Sequence, residues 1–375
     1  MKDFIAVVDA FKQIDFKNRK AALATVVRVR GSSYRGPGAR MLITDDGRWT
    51  GSISGGCLEG DALRKARKVM NENVGLTVTY DTREESNQNL GISLGCNGMI
   101  DVLFEPVNPL DVKNPIKIFE QFVLSKKQLA LATFFSSSHL GEKILIDDRG
   151  IIFGNAIDSI VEDLKQLFFS KKSEVKKYLI DGEEADVFLE LIHPTISLLL
   201  FGGGFDARPV SQLARSLGWN VEVTDECVAH LAPVFFPDAK LSFCQREFID
   251  RDFEITAHTA CVLMSHNYDY DKDVLQKLLP TETTYIGILG PRKRFDKMLN
   301  EFSKEGIYVS EEDLQRIHSP IGLDIGAEAP DEIAVSIIGE IQAKFAKRHG
   351  GFLKSIDGPI HHRDALSGEV LKRDF

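Results

Sequence analysis

At 375 residues the chain is long enough for two domains, each with a core of its own. With 43% apolar and 27% charged residues it has an ordinary globular composition, and its formal net charge of −9 argues against general affinity for nucleic acid or an anionic membrane. The five cysteines, Cys57, Cys96, Cys227, Cys244 and Cys261, form no CxxC pair or Cys/His cluster, so no metal site is expected, and no apolar run approaches bilayer length.

The N-terminus, Met1-Lys2-Asp3-Phe4, opens a mixed charged and apolar helical pattern rather than a secretory signal. A cytoplasmic protein with reduced thiols is the expectation. Ala22-Leu23-Ala24-Thr25 begins a strand, and the stretch from Gly38 to Gly47 carries hairpin signals. Ser54-Gly55-Gly56-Cys57-Leu58-Glu59 then sets a cysteine after two glycines at the start of a helix. That helix repeats Leu58, Ala62, Ala66, Val69 and Met70 at helical spacing. Unpaired N–H groups and the positive end of the helix dipole meet at Cys57, a setting that lowers a thiol pKa and favours a bound anion. A tight turn around a small buried cysteine accounts for the same hexapeptide. A second glycine-flanked cysteine follows in Leu94-Gly95-Cys96-Asn97-Gly98, ahead of a strand at Asp101–Glu105.

The pattern recurs. Ala130-Leu131-Ala132-Thr133 repeats the first strand, Gly141–Gly150 the hairpin, and Asp186-Val187-Phe188-Leu189-Glu190 the last strand. Residues of about 20–107 and 128–192 are therefore two degenerate copies of one unit, reading strand, hairpin, helix, strand, packed as one α/β domain over 1–194. Both cysteine motifs are confined to the first copy; the second runs through Asn155-Ala156-Ile157 into a plain helix. Glycines that merely completed the fold should recur, which favours function for both motifs. The stretch Lys171–Lys177 reads as a solvated helix face or loop.

From residue 195 to about 347 the pattern becomes β-α-β. Gly202-Gly203-Gly204-Phe205-Asp206-Ala207 fits G-x-G-x-x-A between a strand at Ser197–Phe201 and a helix bearing Val210, Leu213, Ala214 and Leu217. Asp225 ends the next strand, where it either accepts from ribose hydroxyls or caps a turn. Asp206 would repel a phosphate. His266 and Asn267 follow the strand at Cys261–Met264, Gly290 precedes the basic run Arg292-Lys293-Arg294, and a long helix follows Pro330. The fold class is thus an N-terminal α/β domain with an internal duplication, then a Rossmann-like doubly wound parallel sheet. Residues 348–375, with His361-His362, read as a tail.

Together these motifs resemble the xanthine dehydrogenase accessory factor family, XdhC/CoxI. The resemblance rests on Gly31-Ser32-Ser33, Pro37-Gly38-Ala39-Arg40-Met41, the Cys57 and Cys96 motifs, Met264-Ser265-His266-Asn267, Ser319-Pro320-Ile321-Gly322 and Pro330-Asp331-Glu332. It implies an accessory factor that transiently binds the molybdenum cofactor, assists its sulfuration with a cysteine desulfurase, and delivers it to a xanthine dehydrogenase-type hydroxylase. In that reading Cys57 or Cys96 approaches molybdenum or carries sulfur. Ser54, Gly55, Gly56, Gly95 and Gly98 shape the pterin phosphate site, with charge from Arg40 or Arg35. Gly202, Gly204, Asp225, His266, Asn267 and Gly290 belong to the Rossmann half, which is expected to form one wall of the cofactor site or to take a dinucleotide. A homodimer is the expected assembly. The chain departs from the family's pattern at Asn97, Phe205 and Asp225-Glu226-Cys227. The alternatives are an NAD(P)-dependent oxidoreductase using Cys57 or His266, and a scaffold with an empty Rossmann site.

Overall fold

The computed structural model describes residues 2–81, 98–111, 114–125 and 127–356. They form two compact units that divide between Pro194 and Thr195. Gly95, Cys96 and the His361-His362 tail lie outside the described residues. Among the described residues no helix is long and apolar enough to cross a membrane.

The first unit begins with α1 (Lys2–Lys12), then runs β1 (Ala21–Gly31), β2 (Arg40–Thr44), β3 (Trp49–Gly51), α2 (Glu59–Glu72), β4 (Leu76–Asp81) and β5 (Gly98–Val107). Helix α3 (Pro115–Leu124) starts where the Asn114 side chain accepts from Ile116 N–H, and leads into the second copy. That copy comprises β6 (Leu129–Phe134), β7 (Lys143–Ile146), β8 (Ile151–Phe153), α4 (Asp158–Ser170), β9 (Glu174–Ile180) and β10 (Glu183–Ile192). The two antiparallel sheets have the same strand order, β3-β2-β1-β5-β4 and β8-β7-β6-β10-β9.

The duplication extends to side chains. Helices α2 and α4 each end in a left-handed residue, Asn73 and Lys171. The Tyr80 hydroxyl donates to Asp61 at 2.8 Å, and Tyr178 to Asp163 at 2.6 Å, each tying an edge strand to its helix. Burial, reinforced by these aspartates, pushes both phenols above their ordinary range. A Cβ on Gly51 would strike the Arg40 carbonyl, and one on Gly154 the Lys143 carbonyl, so the hairpins turn identically.

Helix α2 covers one face of the first sheet through Ala62, Ala66 and Val69, and α4 does the same for the second through Ile160, Leu164 and Leu167. Another apolar core joins Leu23 and Leu42 of the first sheet to Leu131 and Leu145 of the second, closed by Phe4, Phe119 and Phe122 from α1 and α3. With both faces covered, the central strands β1 and β6 are buried along nearly their whole lengths. Two reciprocal ion pairs cross between the copies: Arg40 on β2 to Glu190 on β10, and Lys143 on β7 to Glu105 on β5. Because Arg40 and Lys143 occupy matching positions, as do Glu190 and Glu105, the copies meet as pseudo-symmetric partners.

The edge strands β4 and β9 were not anticipated from sequence. Of the lysines read as a helix face or loop, Lys171 caps α4 and Lys172 lies in the loop after it, while Lys176 and Lys177 belong to β9, an edge where charge meets solvent and discourages further pairing.

The second unit contains β11 (Ser197–Phe201), α5 (Ala207–Ser216), β12 (Asn220–Asp225), β13 (Lys240–Phe243), α6 (Ile249–Asp252), β14 (Thr259–Leu263), α7 (Tyr268–Leu278), β15 (Tyr285–Ile288), α8 (Arg292–Glu305), α9 (Glu311–Arg316), β16 (Ile317–His318) and α10 (Pro330–Phe345). Its sheet is parallel in the order β13-β12-β11-β14-β15-β16, the doubly wound Rossmann order. Helices α5 and α10 cover one face through Val210, Ala214, Ile337 and Ile341, while α7 and α8 cover the other through Val274, Leu278, Met298 and Phe302.

Candidate functional site

Seven residues, 52–58, join β3 to α2 in the first copy, whereas three, 155–157, join β8 to α4 after the matching glycine. The longer loop is held by Glu59, which is 7% exposed. Ser52 Oγ donates to Glu59 Oε1 at 2.8 Å, the Ser54 N–H reaches the same oxygen at 3.2 Å, and Ser54 Oγ donates to Oε2. The Leu58 N–H lies 3.1 Å from Ser54 Oγ and 3.2 Å from Glu59 Oε2, and Gly56 N–H donates to Ser54 Oγ at 3.2 Å. Burial pushes the Glu59 carboxyl up, but the Ser54 and Ser52 hydroxyls and the loop N–H groups outweigh it and hold the acid below its ordinary range.

The loop therefore organises itself around a carboxylate of its own. Ser54 is a buried strut of this network, and the Leu58 N–H at the helix start is already satisfied. Gly55 and Cys57 flank Gly56, whose N–H is tied to Ser54 Oγ. Gly56 has φ +110 and nothing within 4 Å of where a Cβ would stand, so the backbone, not crowding, requires glycine. The half-buried Cys57 is a free thiol packed at the margin of the α2 core.

The loop after β1 meets this site from the side. A Cβ on Gly55 would lie 3.4 Å from the ring of Tyr34, itself 70% exposed. A Cβ on Gly98 would lie 2.4 Å from the Ser32 carbonyl, so glycine is compulsory where β5 begins. The loop 32–38 thus touches both the Cys57 loop and Gly98, the last residue of the Cys96 motif. Between β4 and β5 the first copy has residues 82–97, while the second has only Asp181-Gly182 between β9 and β10. Both cysteine motifs are therefore insertions into a repeated framework.

Arg40 does not supply charge to this site. It is 1% exposed, with Nη1 at 3.1 Å from Glu190 Oε1, and its guanidinium lies 4.4 Å from the Phe4 ring centroid and 4.8 Å from Phe119. The carboxylate and rings leave it a structural cation. Arg35, offered as the alternative, pairs with Asp3 of α1. Sequence reasoning passed over Glu59 and Tyr34 as site residues; the signal was there only for Glu59, which follows the cysteine motif at the start of the helix.

In the second unit, Gly202, Gly204, His266 and Gly290 gather at the carboxyl ends of β11, β14 and β15. A Cβ on Gly202 would stand 2.6 Å from the Met264 carbonyl and from Ser265 Cα. At Gly204 the nearest atom to a Cβ is His266 Cδ2 at 3.7 Å, which is ordinary contact. Gly202→Ala should therefore cost about 2 kcal/mol through steric and backbone strain, while Gly204→Ala stays near wild-type stability, as paired thermal melts will show. Asp225 accepts from Gly203 N–H and Cys227 N–H, both at 2.7 Å, and from His230 Nδ1 at 3.0 Å. Those three donors cap the turn, two of them on Oδ2 and one on Oδ1, which keeps one acceptor position. A Cβ on Gly203 would come within 2.9 Å of the His230 carbonyl, so the chain itself lies over the loop. His266 sits at φ +61 with Nε2 3.3 Å from Asp206, and Asn267 caps α7 by accepting from Asp269 and Tyr270 N–H. Gly290 has φ +123 and closely approaches Arg294, which pairs at 2.6 Å with the buried Asp271. Burial pushes that acid up, against Ser265 and Arg294.

Residues 17–81 match the family model described as the XdhC and CoxI family, and residues 198–341 match the XdhC Rossmann domain. A Bacillus subtilis relative, described as a probable subunit of xanthine dehydrogenase, is 31% identical over 91% of this chain and 97% of its own. The chain belongs to the XdhC and CoxI family. A protein from Escherichia coli named molybdenum cofactor insertion chaperone PaoD is 22% identical, covering 86% of this chain and 82% of its own. A crystal structure from Bacillus halodurans, named a xanthine dehydrogenase, has a TM-score of 0.73 at 29% identity, over 92% of this chain and 97% of that one. The XdhC Rossmann match spans the sheet from β11 to α10, and the XdhC and CoxI match ends at Asp81, with the Cys57 loop inside it.

Proposed function

We propose that this XdhC protein is an accessory factor that transiently carries the molybdenum cofactor to a xanthine dehydrogenase-type hydroxylase. The observation that carries the reading is the Cys57 loop, an insertion absent from the pseudo-symmetric copy and held rigid by Glu59. A soft thiol on a preorganised glycine loop suits a molybdenum–sulfur cargo. Cys57 and Cys96 make the thiol contacts; Gly55 and Gly56, with Gly95 and Gly98 flanking the second thiol, let the pterin approach the backbone. The chaperone relative supports cofactor insertion, and sulfuration with a cysteine desulfurase extends the same reading. Action in the cytoplasm as a homodimer completes it.

The Rossmann crevice contributes less to this reading, because Asp225 is committed to Gly203, Cys227 and His230. An NAD-dependent oxidoreductase would ask the same carboxylate to accept from ribose hydroxyls as well. The test is equilibrium binding of isolated molybdenum cofactor to the purified full chain. Saturable binding that falls at least about tenfold in Cys57→Ser, or in Cys96→Ser, is the expected result, a loss of about 1.4 kcal/mol. Undiminished binding by both variants, or stoichiometric NADPH binding that needs neither thiol, would sink the proposal.

A further inference from the structure

Helix α5 buries Ala207, Val210 and Ala214 in the Rossmann core. Its other face, with Arg208, Gln212 and Arg215, lines an open groove of about 500 Å³ whose far wall includes Phe235 and Asp238. The Arg208 guanidinium lies 3.5 Å from the centroid of Phe235 and 5.4 Å from that of Phe205. Its Nε is buried without a hydrogen-bond partner. Among the described residues neither Arg208 nor Arg215 takes part in an ion pair, and Arg215 uses one N–H on the Trp219 carbonyl at 3.0 Å. The rim adds exposed apolar side chains, Phe205 at 67% and Val234 at 80%.

The one carboxylate lining the groove, Asp238, forms an ion pair with neither arginine, so both charges face the groove unneutralised. Aromatic stacking fixes the Arg208 fork in place, which lowers the entropy lost when it grips an anion. Seven residues apart on one helix, the two arginines stand about 10 Å apart along its axis. That separation is too wide for one phosphate or pyrophosphate, but it matches two acidic side chains two turns apart. Exposed aromatic, aliphatic and arginine side chains together are also the composition of protein interfaces.

We propose that this groove docks an acidic segment of a partner protein, with Arg208 and Arg215 each taking one carboxylate and Phe205 and Val234 covering flanking apolar residues. The proposal does not depend on the cofactor reading of the first unit. The probe is a fluorescein-labelled helical peptide with two glutamates seven positions apart between leucines, titrated into the full chain and followed by anisotropy. Saturable binding should weaken at least about tenfold in Arg208→Glu/Arg215→Glu, and the same peptide with lysines for glutamates should bind that reversed protein better than wild type. The lysine-peptide rescue separates docking from misfolding; Arg215→Gln alone, showing a smaller loss, serves if the double variant melts early. Equal binding of a glutamine peptide, no effect of the reversal, or displacement by inorganic pyrophosphate or single-stranded RNA at lower concentration than the unlabelled peptide would each overturn the proposal.

Discussion

Arg40→Ala is expected to lower the unfolding free energy by about 3–5 kcal/mol, because it strands the buried Glu190 carboxylate without a partner. Urea denaturation followed by circular dichroism measures the loss. Removing both charges together, as in Arg40→Met/Glu190→Leu, should restore most of the stability, since the penalty arises from the unpaired charge. A protein that melts like wild type with Arg40→Ala, yet no longer binds molybdenum cofactor, would return Arg40 to the cofactor site. The reciprocal pair makes a further comparison available: Lys143→Ala should cost a similar amount through Glu105. Arg40 meets the Cys57 loop only through its carbonyl, which accepts from Ser52 N–H at 3.0 Å and survives either substitution, so a loss of stability here measures how the two copies are locked together.

Glu59→Ala should cost about 3 kcal/mol and loosen the loop that carries Cys57. The change orphans the Ser52 and Ser54 donors, which the acid now satisfies in a buried position. Its pH dependence has a definite sign. The folded-state acid titrates below its ordinary value of 4.5, so its stabilisation is complete above that value. It is lost as pH falls through the folded-state value. The stability difference between wild type and Glu59→Gln should therefore be constant near neutrality and shrink below about pH 4. A difference that instead grew on acidification would show that the carboxylate is not the ionised anchor of the loop. If Glu59→Gln keeps the stability but loses cofactor binding, the acid itself meets the cargo.

Much of the framework was legible in the chain. Apolar periodicity gave α2 its buried face, and the paired motifs at Ala22–Thr25 and Ala130–Thr133 revealed the duplication. The glycine pattern between β11 and α5, with Asp225 at the end of β12, was enough to place the Rossmann sheet. Edge strands escaped because their burial is partial and their polar residues obscure a period of two, as Lys176 and Lys177 do in β9.

The roles of individual polar residues were far less legible. A strand or helix is encoded by neighbours within a turn or two, so a linear reading recovers it. The partner of Arg40 lies 150 residues away, and that of Lys143 lies 38 away, both chosen by the symmetry with which two copies pack. Asp225 suits ribose and a turn equally in sequence; in the fold Gly203 and Cys227 N–H and His230 supply its donors. What the sequence alone determined is that two cysteine motifs were added to one copy of a repeated unit ahead of a Rossmann sheet. The tertiary structure decided which charges are structural and which surfaces are open, because desolvation makes a buried charge such as Arg40 or Lys143 find a partner wherever the fold supplies one, here across the two copies.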